Sequence, residues 1–362
     1  MMRWILPRAV FDGETMLRDV AIGIEDDVVI ARRHLSALPD GTTAEPVAAI
    51  LAPGLFDVQV NGGGGVMLNN DPTPQGVRTI AAAHRSVGTH FILPTVITDL
   101  PDITERAADA VLAEHGKNGV LGIHIEGPHI NVARKGTHDP ARIRPFDTRT
   151  RNLLERLRNH GLPVLFTVAP ELLAPGTIAD LTRMGVTVSA GHSAATAEQA
   201  ELALSEGLRG FTHLFNAMPP MTSRAPGIAA VALNSTAYCG IIADGHHVDD
   251  RMVALCWRAR PQPGRMVLVS DAMSTIAGPD HFEIYGETIR VQKGRLINAR
   301  GALAGAHIDL QTSVVRLVAN VGLSPQDALM AATTTPRDFM NLPRQPLLGT
   351  PLSDLFLAPL PD

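Results

Sequence analysis

The sequence predicts an α/β fold: a (β/α)8 TIM-like barrel with a small β-sandwich domain formed by the N- and C-terminal segments. Three observations predict it. From Pro53 onward, eight short apolar runs alternate with stretches of helical periodicity. Strands of that kind form a parallel sheet covered by helices, and eight repeats fit a closed barrel. Several of these runs end on acidic residues or histidines, where a barrel carries its chemistry. The first 50 residues lack this alternation and read instead as short strands joined by turns.

In the N-terminal segment, 19–24 and 28–30 are strands flanking the acidic turn Glu25-Asp26-Asp27, and Asp12-Gly13 is a hairpin-type turn. The barrel strands fall at 55–60, 90–95, 120–125, 164–169, 186–189, 210–212, 237–242 and 266–270. Helical periodicity marks 79–87, 103–115, 149–160, 196–206 and 249–259. The glycine run 62–65 lacks the GxGxxG spacing of an open doubly wound sheet, and no P-loop lysine follows it. It reads as a flexible loop over the barrel mouth. Beyond the eighth strand, 282–291 and 294–298 read as strands, and 313–321 and 325–330 as helices. The apolar, turn-rich tail 347–357 returns to the N-terminal sheet. The barrel is therefore expected at 53–342 and the small domain at 1–52 plus 343–362.

Composition narrows the function. The chain is 45% hydrophobic but only 4% aromatic, so its core is built from Val, Leu, Ile and Ala. A net charge of −5 offers no general attraction for nucleic acid or an anionic membrane. Any anionic ligand needs a local basic site. Cys239 and Cys256 sit in no CxxC pattern and read as buried thiols in a reducing compartment. The apolar stretch at the N-terminus is too short for a signal peptide. No run approaches the roughly 20 apolar residues of a membrane span. A cytoplasmic protein is expected.

The chemistry lies at four strand ends. In the run His124-Ile125-Glu126-Gly127-Pro128, period-two alternation points His124 and Glu126 to the barrel interior, and Gly127-Pro128 stops the strand so that Glu126 sits at the mouth. An inward carboxylate is costly unless paired, hydrogen-bonded or bound to a cation. No barrel strand supplies an Arg or Lys before its end, which favours a metal. His192 and His213 end two adjacent strands. Two histidines and one carboxylate leave a position for water, as in catalytic zinc sites. Asp271 ends the eighth strand and can carry a proton to and from that water. Beyond these ends lie loops suited to an anionic, hydroxylated ligand. They are 134–138, the segment from Asn216 to Arg224, and the turn 243–247, rich in Arg, Lys and His.

The ordered blocks 53–62, 124–128, 135–138, 189–193, 212–219, 242–247 and 269–272 together resemble the N-acetylglucosamine-6-phosphate deacetylases of the amidohydrolase superfamily. The resemblance implies release of acetate and glucosamine 6-phosphate. It implies Glu126, His192 and His213 as metal ligands and Asp271 as general base and acid. It also implies substrate contacts from Thr137, His138, Asn216, Ala217, Arg224, Asp244, His247, Leu303, Ala304 and Gly305. Arg224 would reach the phosphate in the neighbouring subunit of a homodimer. Many amidohydrolases carry His-x-His at the first strand end and bind two metals. Here the position reads Gln59-Val60-Asn61, so one divalent ion per subunit, zinc, is expected. The tail Gly349-Thr350-Pro351-Leu352-Ser353-Asp354-Leu355 also departs from the usual Gly-x-x-Ala-Asp-Leu ending. Residue types alone leave open N-acetylgalactosamine 6-phosphate, since one hydroxyl separates the epimers, or another N-acyl amino sugar. A non-catalytic sugar-phosphate sensor is the alternative from another class.

Overall fold

Period-two alternation in the barrel strands sorts their side chains to two sides. Outward residues such as Ile123, Ile125, Val164, Phe166 and Val168 share a cluster with the helices, while Phe56, Val58, Leu93, Leu165 and Val267 fill the interior. The computed structural model describes residues 2–299 and 301–360. Residues 1, 361 and 362 of the expected small domain and residue 300 of the expected barrel lie outside the described residues. Eight parallel strands form the barrel: Leu55–Val60, Thr89–Ile97, Ile123–Glu126, Val164–Val168, Thr187–Ala190, Gly210–Phe211, Tyr238–Ile241 and Met266–Leu268. They are hydrogen-bonded in chain order, and each overlaps an expected strand, the third starting at Ile123 rather than 120.

Above the apolar interior lies a polar layer. His124 Nε2 is 2.8 Å from Thr167 Oγ1, Thr167 Oγ1 is 2.7 Å from Thr212 Oγ1, and Thr212 Oγ1 is 2.7 Å from Ser189 Oγ. These buried groups satisfy one another, as isolation from water requires. Glu126 stands two residues above His124 on the same face.

Just beyond the eighth strand, the barrel closes on the first. Asp271 N donates to Gln59 O (3.0 Å) and Asn61 N to Ala272 O (2.8 Å). The fully buried Asp57 carboxylate accepts from Gln59 N and Ser270 N, each at 3.1 Å. Burial raises its pKa to about 7.

The helices follow the expected positions, the first with the largest shift. The first runs Pro74–Ser86 rather than 79–87, because Thr73 accepts from Gly76 N and Pro74 opens the helix. Pro101–Glu114, Thr148–Asn159, Ala197–Ser205 and Asp250–Ala259 match within two residues. Thr177–Arg183 and Gly227–Asn234 were not foreseen; with 7 and 8 residues they are too short to show a period. Leu310–Ala319, Pro325–Ala332 and Thr334–Phe339 complete the helical layer.

Two expectations need correction. The glycine run is not a loose loop. Gly62–Gly63 pairs with Val66–Met67 in a hairpin, with Gly62, Gly63 and Met67 buried, and an added Cβ on Gly62 would overlap the Val66 carbonyl. The segment 282–291 is not one strand. His281–Ile284 and Glu287–Gln292 form a hairpin about Tyr285-Gly286, whose positive φ angles (53° and 76°) suit a tight primed turn. Arg295–Ile297 adds a third strand.

The end segments form one six-stranded sheet of Arg3–Phe11, Met16–Leu17, Val20–Glu25, Val28–His34, Glu45–Pro53 and Leu355–Ala358. Only Arg3–Phe11 with Glu45–Pro53 is parallel; the tail strand pairs antiparallel with Glu45–Pro53, as the tail's apolarity foretold. A register shift between Pro7 and Ala9 reverses the facing of the first strand. It lets Ile5 and Val10 share a cluster with Ile22, Leu51 and Leu355, while Ala9 and Phe11 join the barrel core. Cys239 and Cys256 are buried and free, their thiols pushed up by burial to about 11 and about 12. Among the described residues no helix is long and apolar enough to cross a membrane.

The Asp57 seam predicts a pH effect on stability. Its folded pKa lies above the unfolded value, so the folded state binds the extra proton between about pH 4 and 7. Stability is therefore lost as pH rises through that window. In Asp57→Asn this loss is absent. Thermal melts at pH 5 and pH 8 should show the variant gaining on wild type by about 2 °C or more at the higher pH. A pH-independent difference would contradict it.

Candidate active site

Three of the four strand-end residues adopt a backbone conformation that side-chain-bearing residues seldom use. His192, His213 and Asp271 have φ of 49°, 29° and 52°. Left-handed non-glycine residues cost about 1–3 kcal/mol each and persist where surrounding bonds hold them. Here Asn131 N donates to His192 O (2.9 Å), Asn216 N to His213 O (3.0 Å) and Ala306 N to Asp271 O (3.0 Å). Each turn directs the side chain across the barrel mouth. Glu171 braces the segment after His192, accepting from Ser193 Oγ and Ala194 N at 2.7 Å each.

The side chains converge. Glu126 Oε1 lies 3.0 Å from His213 Nε2 and 3.2 Å from His192 Nε2, and the two imidazole nitrogens are 3.1 Å apart. All three residues are buried. His192 Nδ1 meets the Arg134 carbonyl at 2.9 Å, so Nδ1 carries a proton. The neutral ring then presents a lone pair at Nε2 toward a carboxylate oxygen and a second imidazole. Such a convergence of acceptors fits a cation. Glu126, His192 and His213 could hold a metal ion, and a carboxylate with two imidazoles is a donor set suited to zinc.

The amides at the first strand end occupy the other side of Glu126. Gln59 Nε2 donates to both Glu126 oxygens (3.2 and 3.1 Å) and to Asp271 Oδ1 (3.2 Å), while Asn61 Nδ2 donates to Asp271 Oδ1 at 2.7 Å. The Gln59 amide thus bridges the two carboxylates, and the Asn61 amide adds a second donor to Asp271. Burial raises the Glu126 carboxyl's pKa, but hydrogen bonds and charge from His192 and His213 outweigh it and hold it well below the usual carboxylate range. Burial works the other way on His213, and Glu126 overrides it to raise the imidazole. Asp271 has no cationic hydrogen-bond partner among the described residues. Burial first, and then the charge of Glu126, lift it to about 6. Burial holds His138 well below the ordinary imidazole range.

A cavity of about 200 Å³ opens above these groups. Of the residues expected to meet substrate, Thr137, His138, Asn216, Ala217, His247, Leu303 and Gly305 line it. Asp244, Ala304 and Arg224 do not. Asp244 instead holds its neighbour, 2.6 Å from His247 Nδ1 and accepting from the backbone nitrogens of His246 and His247. Ala304 is buried in the apolar cluster beneath the three-stranded sheet. Arg224 is exposed on its loop. Sequence reasoning missed Ile97, Gly136 and Met273 in the cavity wall. Gly136 has φ 55°, and an added Cβ would sit 3.3 Å from His192 Cε1. Its place inside the candidate loop 134–138, as a glycine, was the one available signal.

Barrel, strand-end ligand cluster and adjacent carboxylate define a metal-dependent hydrolase. The Amidohydrolase family matches residues 50–345. An N-acetylgalactosamine-6-phosphate deacetylase of Shewanella sp. (strain ANA-3) is 39% identical over 298 residues, covering 81% of this chain and 75% of the relative. The N-acetylglucosamine-6-phosphate deacetylase of Haemophilus influenzae is 31% identical over 335 residues, covering 90% of this chain and 87% of the relative. Among solved structures, a mutant N-acetyl-D-glucosamine-6-phosphate deacetylase from Mycobacterium smegmatis, in complex with N-acetyl-D-glucosamine-6-phosphate, superposes with a TM-score of 0.88 at 27% identity, covering 98% of this chain and 94% of that one. The chain belongs to the amidohydrolase family.

Proposed function

We propose that this enzyme hydrolyses the acetamide of N-acetylglucosamine 6-phosphate to acetate and glucosamine 6-phosphate. The observation that carries the reading is the convergence of Glu126, His192 and His213 beside Asp271 at the floor of the cavity. One divalent ion held by the first three, zinc in this reading, would acidify a water and polarise the acyl oxygen. The Gln59 and Asn61 amides take the place where a second ion's imidazoles would stand, which supports a single ion.

Asp271 takes the proton of the attacking water and returns it to the departing amine as the C–N bond breaks. A carboxyl with a pKa of about 6 is suited to both transfers near neutral pH. His138 donates to the acyl oxygen. Thr137, Asn216, Ala217, His247 and the loop Leu303-Ala304-Gly305 hold the sugar, with Asp244 orienting His247. Arg224 lies outside its own cavity and serves the phosphate of a neighbouring subunit in a homodimer, where a guanidinium can engage two oxygens. The barrel unit 53–342 carries the chemistry, supported by a unit of 1–52 and 343–362. Buried free thiols suit a reducing cytoplasm. Relatives carry the names of both C4 epimers; the structural neighbour with bound sugar is of the gluco type.

Acetate release from the two N-acetylhexosamine 6-phosphates tests the substrate, with greater kcat/KM expected for the gluco epimer. No release from either sugar overturns the proposal. Asp271→Asn should keep its bound ion and its affinity for the sugar phosphate, yet lose about 10²–10⁴-fold in kcat. Near-normal turnover would remove Asp271 from the mechanism. Arg224→Ala should raise KM for the phosphorylated sugar far more than for the unphosphorylated one. Mixing it with Asp271→Asn should restore activity through hybrid dimers. An equal effect on both sugars would make Arg224 structural.

A further inference from the structure

We propose that Thr98 is a positioning residue for His138: its hydroxyl donates to Nδ1 and thereby places the imidazole proton on Nε2, the nitrogen that opens on the cavity. The inference rests on the reading of His138 as a donor to the acyl oxygen.

Thr98 directly follows the second barrel strand and is 1% exposed; His138 is 2% exposed. Thr98 Oγ1 lies 2.6 Å from His138 Nδ1. Two arrangements are possible at that distance, the hydroxyl donating to Nδ1 or an Nδ1–H donating to the hydroxyl. The surroundings choose between them. Among the described residues, Thr98 Oγ1 has no partner besides His138. If Nδ1 carried the proton, the hydroxyl hydrogen would be buried without an acceptor, which costs about 1–3 kcal/mol. With the hydroxyl donating, both groups are satisfied, and the neutral ring keeps its proton on Nε2. No hydrogen bond to Nε2 forms among the described residues, and the atom is not among the buried polar atoms left without partners. His138 lines the cavity shared with Glu126, His192 and Asp271. An Nε2–H there can meet an acyl oxygen. The other tautomer would present a lone pair and repel it.

Thr98 is held on three sides. Its carbonyl accepts from the Tyr285 hydroxyl, at the turn of the hairpin His281–Ile284 and Glu287–Gln292. The Arg142 guanidinium lies 4.7 Å over the Tyr285 ring and pairs with Asp99, the next residue along. On the opposite side the Thr98 hydroxyl packs against Gly127, where any Cβ would overlap it. A glycine immediately after Glu126 leaves this hydroxyl its place.

The test compares Thr98→Val, which keeps the shape and removes the donor, with Thr98→Ser, which keeps the donor. Thr98→Val should lower kcat about 10- to 100-fold, a partial loss of one preorganised donor. KM and bound-ion content should stay near wild type, and Thr98→Ser should retain most of kcat. The tautomer is read directly in 15N-histidine-labelled protein by long-range 1H–15N correlation, with His138 assigned by its absence in His138→Gln. Wild type should show a protonated Nε2 and a bare Nδ1; Thr98→Val should show a mixture. A wild-type His138 protonated at Nδ1 overturns the proposal, as does full kcat in Thr98→Val or equal impairment in both variants. The spectrum requires no substrate, so it stands even if the deacetylase reading fails, and the wild-type spectrum decides even if a variant does not fold.

Discussion

The constraint on which the rest of the structure depends is the buried carboxylate of Glu126. It sits at the end of a barrel strand, facing two imidazole nitrogens at 3.0 and 3.2 Å, with no Arg or Lys partner among the described residues. A charge in that position needs a compensating cation or a dense set of donors. The chain supplies donors on one side, through Gln59, and a lone-pair cluster suited to a cation on the other. The strained backbone of His192 and His213 serves the same need, since the left-handed turns at those strand ends bring both rings to one oxygen. The polar layer below, from His124 through Thr167 and Thr212 to Ser189, keeps the floor of the site hydrogen-bonded rather than apolar.

Asp271 belongs to the same electrostatic unit. It lies within reach of the amides that also bind Glu126, and the charge of Glu126 is the main influence on it after burial. The seam that closes the barrel also places Asp271, through its backbone bond to Gln59 and through Asp57 on Ser270. The seam that closes the barrel and the placement of the Asp271 carboxylate thus share the residues 57–61 and 270–272. A substitution that loosens the seam would move Asp271, so stability and the proposed proton transfer are coupled there.

The eight strands were legible because apolar runs in a doubly covered sheet are continuous and end abruptly on polar residues. Glu126, His192, His213 and Asp271 were legible for the same reason: titratable side chains at the ends of such runs have few structural uses. The short helices Thr177–Arg183 and Gly227–Asn234 were not legible, having too few turns for a period. The hairpin about Tyr285 was hidden because Tyr285 and Gly286 interrupt an alternation that otherwise continues. Thr98 gave no signal. A threonine after a strand is common, and its meaning lies in a hydrogen bond to a residue 40 positions later. Asp244 illustrates the converse, a residue named for the cavity whose carboxylate is engaged by His247 and two backbone nitrogens.

The central claim is that Glu126, His192 and His213 hold one ion and that hydrolysis depends on it. Titration of chelator-stripped enzyme with zinc, following acetate release from N-acetylglucosamine 6-phosphate, tests it most directly. Activity should be lost on stripping, rise linearly and reach its plateau at one equivalent per chain. Activity that survives stripping, or that climbs until two equivalents are bound, would contradict the account.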